Sequence, residues 1–152
     1  MTTLTLPDEN ATLALGAALA PLMAPGLVVT LRGELGAGKT TLVRGLLRAL
    51  GHAGRVKSPT YSLVEVYKVS RLHLYHFDFY RLRDPGEWSE AGFRDAFDGR
   101  NVCLIEWPER ARGQLPPADL DISLQVSEAG RLAQLSASFP AGERLLAGLR
   151  PS

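Results

Sequence analysis

Hydrophobic positions change their period several times along the chain, and each change marks an element. From Leu6-Pro7-Asp8-Glu9 a helix is predicted, with Asp8 as its N-cap and acidic Glu9 in the first turn. It carries Leu13, Leu15, Leu19 and Leu22 inward and stops near Pro21 or Pro25. Leu27-Val28-Val29-Thr30-Leu31 is short and mostly apolar, as a strand covered on both faces must be. Beyond a glycine-rich turn, Leu42, Val43, Leu46, Leu47 and Leu50 recur at helical spacing, and Gly51 ends that helix. From Val56 to Leu82 the pattern becomes β-like: Ser62 to Tyr67, a polar turn around Ser70, then Leu72 to Leu82. Asp84-Pro85-Gly86-Glu87 starts another helix, predicted to reach about Phe97, and Asn101 to Ile105 is a second apolar strand. Leu120 to Val126 and Leu132 to Ser138 alternate around Glu128-Ala129-Gly130, and Gly142 to Leu149 reads as a short terminal helix.

Composition narrows this picture without changing it. A chain of 152 residues, 45% apolar and 22% charged, fits one globular domain over residues 1–152. A net charge of +1 supplies no bulk field toward nucleic acid or anionic lipid, so any action on a nucleic acid needs other proteins for its grip. Cys103 has no partner for an internal disulfide, and its place in Val102-Cys103-Leu104-Ile105 reads as a buried small hydrophobe rather than a reactive thiol. Asn10 to Leu31 is uncharged for the length of a membrane span. Gly16, Pro21, Pro25 and Gly26 interrupt it, however, and the first basic residue is Arg32, after it rather than before it. The stretch is therefore read as a helix and a buried strand of a cytoplasmic protein with no membrane association.

The chemistry begins at Gly33-Glu34-Leu35-Gly36-Ala37-Gly38-Lys39-Thr40, which fits G-x₄-G-K-[ST] between a predicted strand and a predicted helix. Gly33, Gly36 and Gly38 permit a turn tight enough for successive backbone N–H groups to point inward as an anion nest. The helix starting near Lys39 adds its partly positive end. Lys39 is placed for the β and γ phosphates of a nucleotide, and the Thr40 hydroxyl for Mg²⁺. Only three of the 17 basic residues are lysines, yet the cradle position holds one. The expected fold is α/β: a three-layer P-loop NTPase-like fold with a mostly parallel central sheet flanked by helices and a C-terminal β-hairpin.

Such a cradle needs an acidic group to fix the metal and orient water. Alternation along Leu72 to Tyr80 puts His76, Asp78 and Tyr80 on one strand face, with Tyr75, Phe77 and Phe79 on the other. Among so many aromatics Asp78 needs a cation or a water network; the plainer reading is an edge-strand Asp facing solvent. His76 reads equally as a hydrogen-bonded structural histidine or a catalytic one. Glu106 ends Val102 to Ile105 as a Walker B carboxylate would, to bind Mg²⁺ directly or through water or to position the attacking water; otherwise it caps a helix or lies on the surface. Pro59 biases Ser58 to extended geometry, so Ser58-Pro59-Thr60 is either a γ-phosphate sensor or an ordinary turn.

GELGAGKTTLVRGLL, VKSPTYSLVEVY, LYHFDFYRL, DPGEWSEAGF and LIEWPER, in that order and spacing, closely resemble the TsaE (YjeE) family. The resemblance covers most of the chain, and S-P-T-[YF] and H-x-D-x-Y-R are its distinctive segments. It implies the ATPase of bacterial tRNA threonylcarbamoyladenosine (t⁶A) synthesis, acting with TsaD and TsaB and reaching tRNA only through them. It further implies Mg²⁺ held by Thr40 and Glu106 with Asp78 beside them, and Lys39, Asp78 and Glu106 as the catalytic set. Nucleotide contacts would come from Leu35, Gly36, Ala37, Gly38, Lys39, Thr40 and Thr41, with Thr60 in a switch-like segment and Trp107 nearby. Glu9 would meet the adenine, and Arg131 of the hairpin would approach the site. Members are weak ATPases alone, and ATP turnover is thought to reset the complex between rounds while TsaD performs the transfer. Tyr61 stands where Phe is common and Trp88 where Leu is, the latter a possible change to a partner surface. The competing class is a small-metabolite P-loop kinase, whose arginine-bearing lid would have to be Arg81-Leu82-Arg83. A GTPase would need N-K-x-D, which the sequence lacks.

Overall fold

The computed structural model describes residues 1–59 and 61–149. Its centre is β2 (Val28–Arg32), with Val28, Val29, Thr30 and Leu31 all buried, as the unbroken apolar run requires. β2 pairs in parallel with β5 (Val102–Glu106) on one side and β6 (Leu120–Ser127) on the other. β5 in turn pairs in parallel with β4 (Leu72–Asp78). Antiparallel strands close both flanks. β3 (Val64–Val69) lies outside β4, while β7 (Gly130–Ala137) and β1 (Thr2–Leu6) lie outside β6, giving the order β1-β7-β6-β2-β5-β4-β3.

β1 lies ahead of the first element that the hydrophobic pattern suggests. Its Thr-Thr-Leu-Thr-Leu alternation sets Thr2, Leu4 and Leu6 against the less buried Thr3 and Thr5. The expected C-terminal hairpin joins the main sheet through β6 and β2, and β1 extends that sheet by pairing with β7.

Each sheet face carries its own core, which produces three layers. On one face, α1 (Glu9–Leu19), α2 (Lys39–Ala49) and α4 (Pro140–Leu149) cover Val29, Leu31, Leu74, Leu104 and Ile122. On the other, Phe77, Phe79, Cys103 and Ile105 pack with Trp88 and Ala96 of short helical segments. The split follows strand alternation: Val102 and Leu104 face one way, Cys103 and Ile105 the other. Burial pushes the Cys103 thiol up to about 12, so it is inert at neutral pH. The uncharged stretch 10–31 is α1, a 3-10 turn and β2, and no helix among the described residues is long and apolar enough to cross a membrane.

Three expectations are corrected. The helix predicted from Asp84 to about Phe97 is instead α3 (Gly86–Glu90) and a separate 3-10 turn, because Gly92 adopts a left-handed conformation (φ 77°) between them. β4 stops at Asp78 rather than Leu82, since the Asp78 carboxylate accepts a hydrogen bond from the Tyr80 N–H and bends the chain out of the ladder. Trp88 is only 1% exposed and packs on Phe97, so it belongs to the core and not to a partner surface.

α1 and α2 pack backbone to backbone through glycines. A Cβ at Gly16 would lie 2.1 Å from the Leu42 carbonyl oxygen, and one at Gly45 would lie 2.2 Å from that of Leu13. An unobstructed helical Gly→Ala change gains about 0.5–1 kcal/mol. Here the obstacle is main chain that cannot rotate away, so Gly45→Ala is expected to lower unfolding free energy by about 1–3 kcal/mol, measured by urea denaturation.

Candidate functional site

Parallel pairing fixes where the chemistry converges. In register, Leu31 lies opposite Glu106, and Glu106 opposite Asp78, so the C-terminal ends of β2, β5 and β4 form one row. The glycine-rich loop leaves β2 at that row and ends in α2. Gly36 (φ 80°) and Gly38 (φ 108°) adopt the left-handed conformations that the closed loop requires. Gly38 is the N-cap of α2 and offers no capping side chain, so the first amides of α2 are left for an anion.

Lys39 is the first residue of α2 and is 5% exposed. Its ammonium donates to the Gly33 carbonyl oxygen and sits 4.1 Å from the centre of the Trp107 ring. Burial pushes its pKa down, while the carboxylates of Glu106, Asp78, Glu109 and Glu34 pull it back up. Thr40 donates from Oγ1 to Glu106 Oε2 at 3.0 Å. Glu106 is 3% exposed and its Oε2 also meets His76 Nε2 at 2.6 Å. His76 is fully buried, and its Nδ1 has no partner among the described residues. Trp107, directly after Glu106, is left-handed (φ 57°), a conformation that costs a bulky residue about 1–2 kcal/mol and turns the chain sharply off the strand.

Leu35, Gly36, Ala37, Gly38, Lys39, Thr40, Thr41, Asp78, Glu106 and Trp107 line one cavity of about 200 Å³, joined there by Ser58. A second cavity of about 250 Å³ shares Gly36, Ala37, Gly38 and Thr41 and is otherwise lined by Leu6, Pro7, Asp8, Glu9, Thr12, Gly130 and Arg131. Two adjoining chambers over one glycine loop suit a ligand with a polyanionic tail and a larger head. Of the residues singled out from the sequence, only Thr60 lies outside the described residues. The segment considered as a kinase lid is fixed to the fold: Leu82 is buried, and the Arg81 guanidinium lies 4.2 Å from the Tyr61 ring centre.

Arg131, expected to approach the site, lines the second cavity and also ties down the glycine loop. Its guanidinium donates from Nε to the Ala37 carbonyl oxygen and from Nη2 to that of Gly36, both at 3.1 Å. The loop is thus held from the β7 side through two of its carbonyl oxygens. Gly130 makes this possible, since a Cβ there would lie 2.3 Å from the Leu6 carbonyl oxygen. The residues that sequence reasoning missed are Leu6, Pro7, Asp8 and Thr12 in the second chamber, and the link from His76 to Glu106. The first four needed β1, which places the start of α1 beside the loop.

The donor set is one hydroxyl and two carboxylates, all oxygen, which suits a hard divalent cation. Among the described residues no three His, Cys, Asp or Glu side chains form a metal cage. A cation here must therefore complete its shell from water or a bound anion, as Mg²⁺ does on phosphates. Thr40 fits that use, because its hydroxyl hydrogen goes to Glu106 and its lone pairs remain.

A strand, a glycine loop and a helix whose first turn has no capping side chain, set on the parallel centre of a mixed sheet, define a P-loop α/β protein. The family model for the threonylcarbamoyl adenosine biosynthesis protein TsaE matches residues 6–133. The tRNA threonylcarbamoyladenosine biosynthesis protein TsaE of Haemophilus influenzae is 42% identical over 146 residues, covering 93% of this chain and 92% of that protein. The protein of the same name in Bacillus subtilis is 40% identical over 119 residues, covering 78% of this chain and 73% of its own. The crystal structure of Bacillus subtilis YdiB superposes with a TM-score of 0.84 at 31% identity, over 97% of this chain and 93% of that one. The chain belongs to the TsaE family.

Removing the Arg131 fork should loosen the loop itself. Arg131→Ala is expected to speed amide hydrogen exchange across residues 34–39 by about tenfold or more, the size of one lost hydrogen bond to a charged group. Arg131→Lys should recover little, because one ammonium cannot span two carbonyls in a fixed plane.

Proposed function

We propose that this protein binds Mg²⁺–ATP on the loop from Gly33 to Thr40 and hydrolyses it slowly alone and faster when docked on TsaD–TsaB. In this reading ATP turnover resets that complex between rounds of t⁶A formation in the cytoplasm, TsaD performs the transfer, and tRNA is met only through the complex. The observation that carries it is the Thr40–Glu106 hydrogen bond inside the same cavity as the Lys39 ammonium and the open first turn of α2. Membership of a t⁶A biosynthesis family supports the pathway.

Lys39 supplies the charge for the β and γ phosphates by exchanging the Gly33 carbonyl and the Trp107 ring for phosphate oxygens. The α2 amides and the loop amides fix the chain of phosphates without a side chain. Thr40 and Glu106, with Asp78 beside them, would hold Mg²⁺, which when bound neutralises charge building on the phosphoryl oxygens. Asp78 and Glu106 also orient water at the row of strand ends. Glu9, at the start of α1, lines the chamber suited to the base.

Lys39→Ala is expected to weaken ATP binding by about tenfold to a hundredfold or more, since it removes charge-assisted hydrogen bonds from a partly dry site; titration calorimetry measures it. Unchanged affinity would place the nucleotide elsewhere. Glu106→Ala and Asp78→Asn should reduce turnover more than affinity, and turnover equal to the parent's in both would remove them from the mechanism. Multiple-turnover t⁶A synthesis with cognate TsaD and TsaB should stall without this protein and resume with it; phosphorylation of a small acceptor would favour the kinase class instead.

A further inference from the structure

His76 is buried against Glu106, and the ATPase reading leaves its part unassigned. It sits on β4 opposite Leu104, two positions before Asp78 and diagonal to Glu106, on the sheet face toward α2. Its Nε2 lies 2.6 Å from Glu106 Oε2, shorter than the 3.0 Å from Thr40 Oγ1 to the same oxygen. Nδ1 is buried with no partner among the described residues. A hydrogen on Nδ1 would be a buried donor with nowhere to go, so the hydrogen belongs on Nε2, donated to Glu106. A histidine held in a purely structural network commonly bonds through both nitrogens. This one satisfies only the nitrogen that meets the carboxylate.

Resting on the ATPase reading, we propose that His76 is a positioning residue for the metal carboxylate: its Nε2–H holds Glu106 Oε2 against Thr40. With Oε2 saturated by these two donors, Oε1 is the oxygen left for a cation or its water. Without His76 the Glu106 side chain keeps a single, longer tie and gains rotamers, so fewer molecules present the oxygen correctly when Mg²⁺ arrives. The effect falls on metal-dependent binding and leaves the contacts of the loop amides and Lys39 with phosphate in place. Partners one step removed from a metal typically shift its affinity by about 10- to 100-fold.

The test compares His76→Leu, which fills the volume and donates nothing, with His76→Gln, whose amide nitrogen reaches the place of Nε2. For each, ATP affinity is titrated with Mg²⁺ and again with EDTA, and Tm is recorded. The gain in affinity from Mg²⁺ should shrink about tenfold or more in His76→Leu, with EDTA affinity within about twofold of the parent. His76→Gln should recover most of that gain. An undiminished gain in His76→Leu overturns the proposal while sparing the ATPase reading. Equal loss with and without Mg²⁺ in both variants, tracking Tm, overturns it in favour of a packing role. No gain from Mg²⁺ in the parent would overturn both.

Discussion

A carboxylate taken out of water at the end of a central strand is unfavourable by several kcal/mol unless donors and a cation surround it. Glu106 meets that requirement with partners from separate elements: the Thr40 hydroxyl from α2, the His76 imidazole from β4, and the attraction of the Lys39 ammonium. None of these groups is close to Glu106 in sequence, so the carboxylate is satisfied only when β4, β5 and the start of α2 have all assembled. Thr40 and Lys39 follow the glycine loop directly, which means that the loop must close in one way to bring them in. The strand-end carboxylate thus specifies the loop, and the loop in turn specifies the anion site.

The surroundings remove the remaining freedom. Gly16 and Gly45 let α1 and α2 touch through their main chains, so the axis of α2 is set without intervening side chains that could repack. On the opposite side Arg131 takes the Gly36 and Ala37 carbonyl oxygens. A loop with two of its carbonyl oxygens already engaged is partly ordered before any ligand arrives, and that preorganisation lowers the free-energy cost of ordering it on binding.

How much of this could be read from the sequence depended on how local the cause was. The cradle was legible because glycines, lysine and threonine act on one another within eight positions, and the flanking strand and helix announce themselves by period. Alternation along β4 correctly separated His76 and Asp78 from Tyr75 and Phe77. What escaped was decided at a distance or by one backbone angle. Nothing near Gly92 distinguishes a helix-ending left-handed glycine from one tolerated within a helix, so the segment after Asp84 looked continuous. Thr2–Leu6 is half-polar and short, and becomes a strand by pairing with β7, more than 120 positions later. Arg131 reaches carbonyl oxygens 94 and 95 positions away, and hydropathy carries no signal for such a contact. Trp88 sits in a polar, acidic stretch, so its burial follows only from the aromatic cluster it joins.

Three unfavourable features lie around one carboxylate: Trp107 is left-handed, Lys39 is desolvated, and His76 buries a nitrogen with no partner among the described residues. Elsewhere the two faces of the sheet are packed with aliphatic and aromatic side chains that follow strand alternation. Local rules broken together around one carboxylate point to strain kept for function and supported by the cores. The sign of the Lys39 perturbation makes the same point. Burial outweighs four carboxylates in setting its direction, so the cavity favours the charged ammonium less than water does. On the proposed reading, a polyphosphate in that cavity adds its negative charge to that of Asp78 and Glu106 beside Lys39 and so offsets what burial takes from the ammonium.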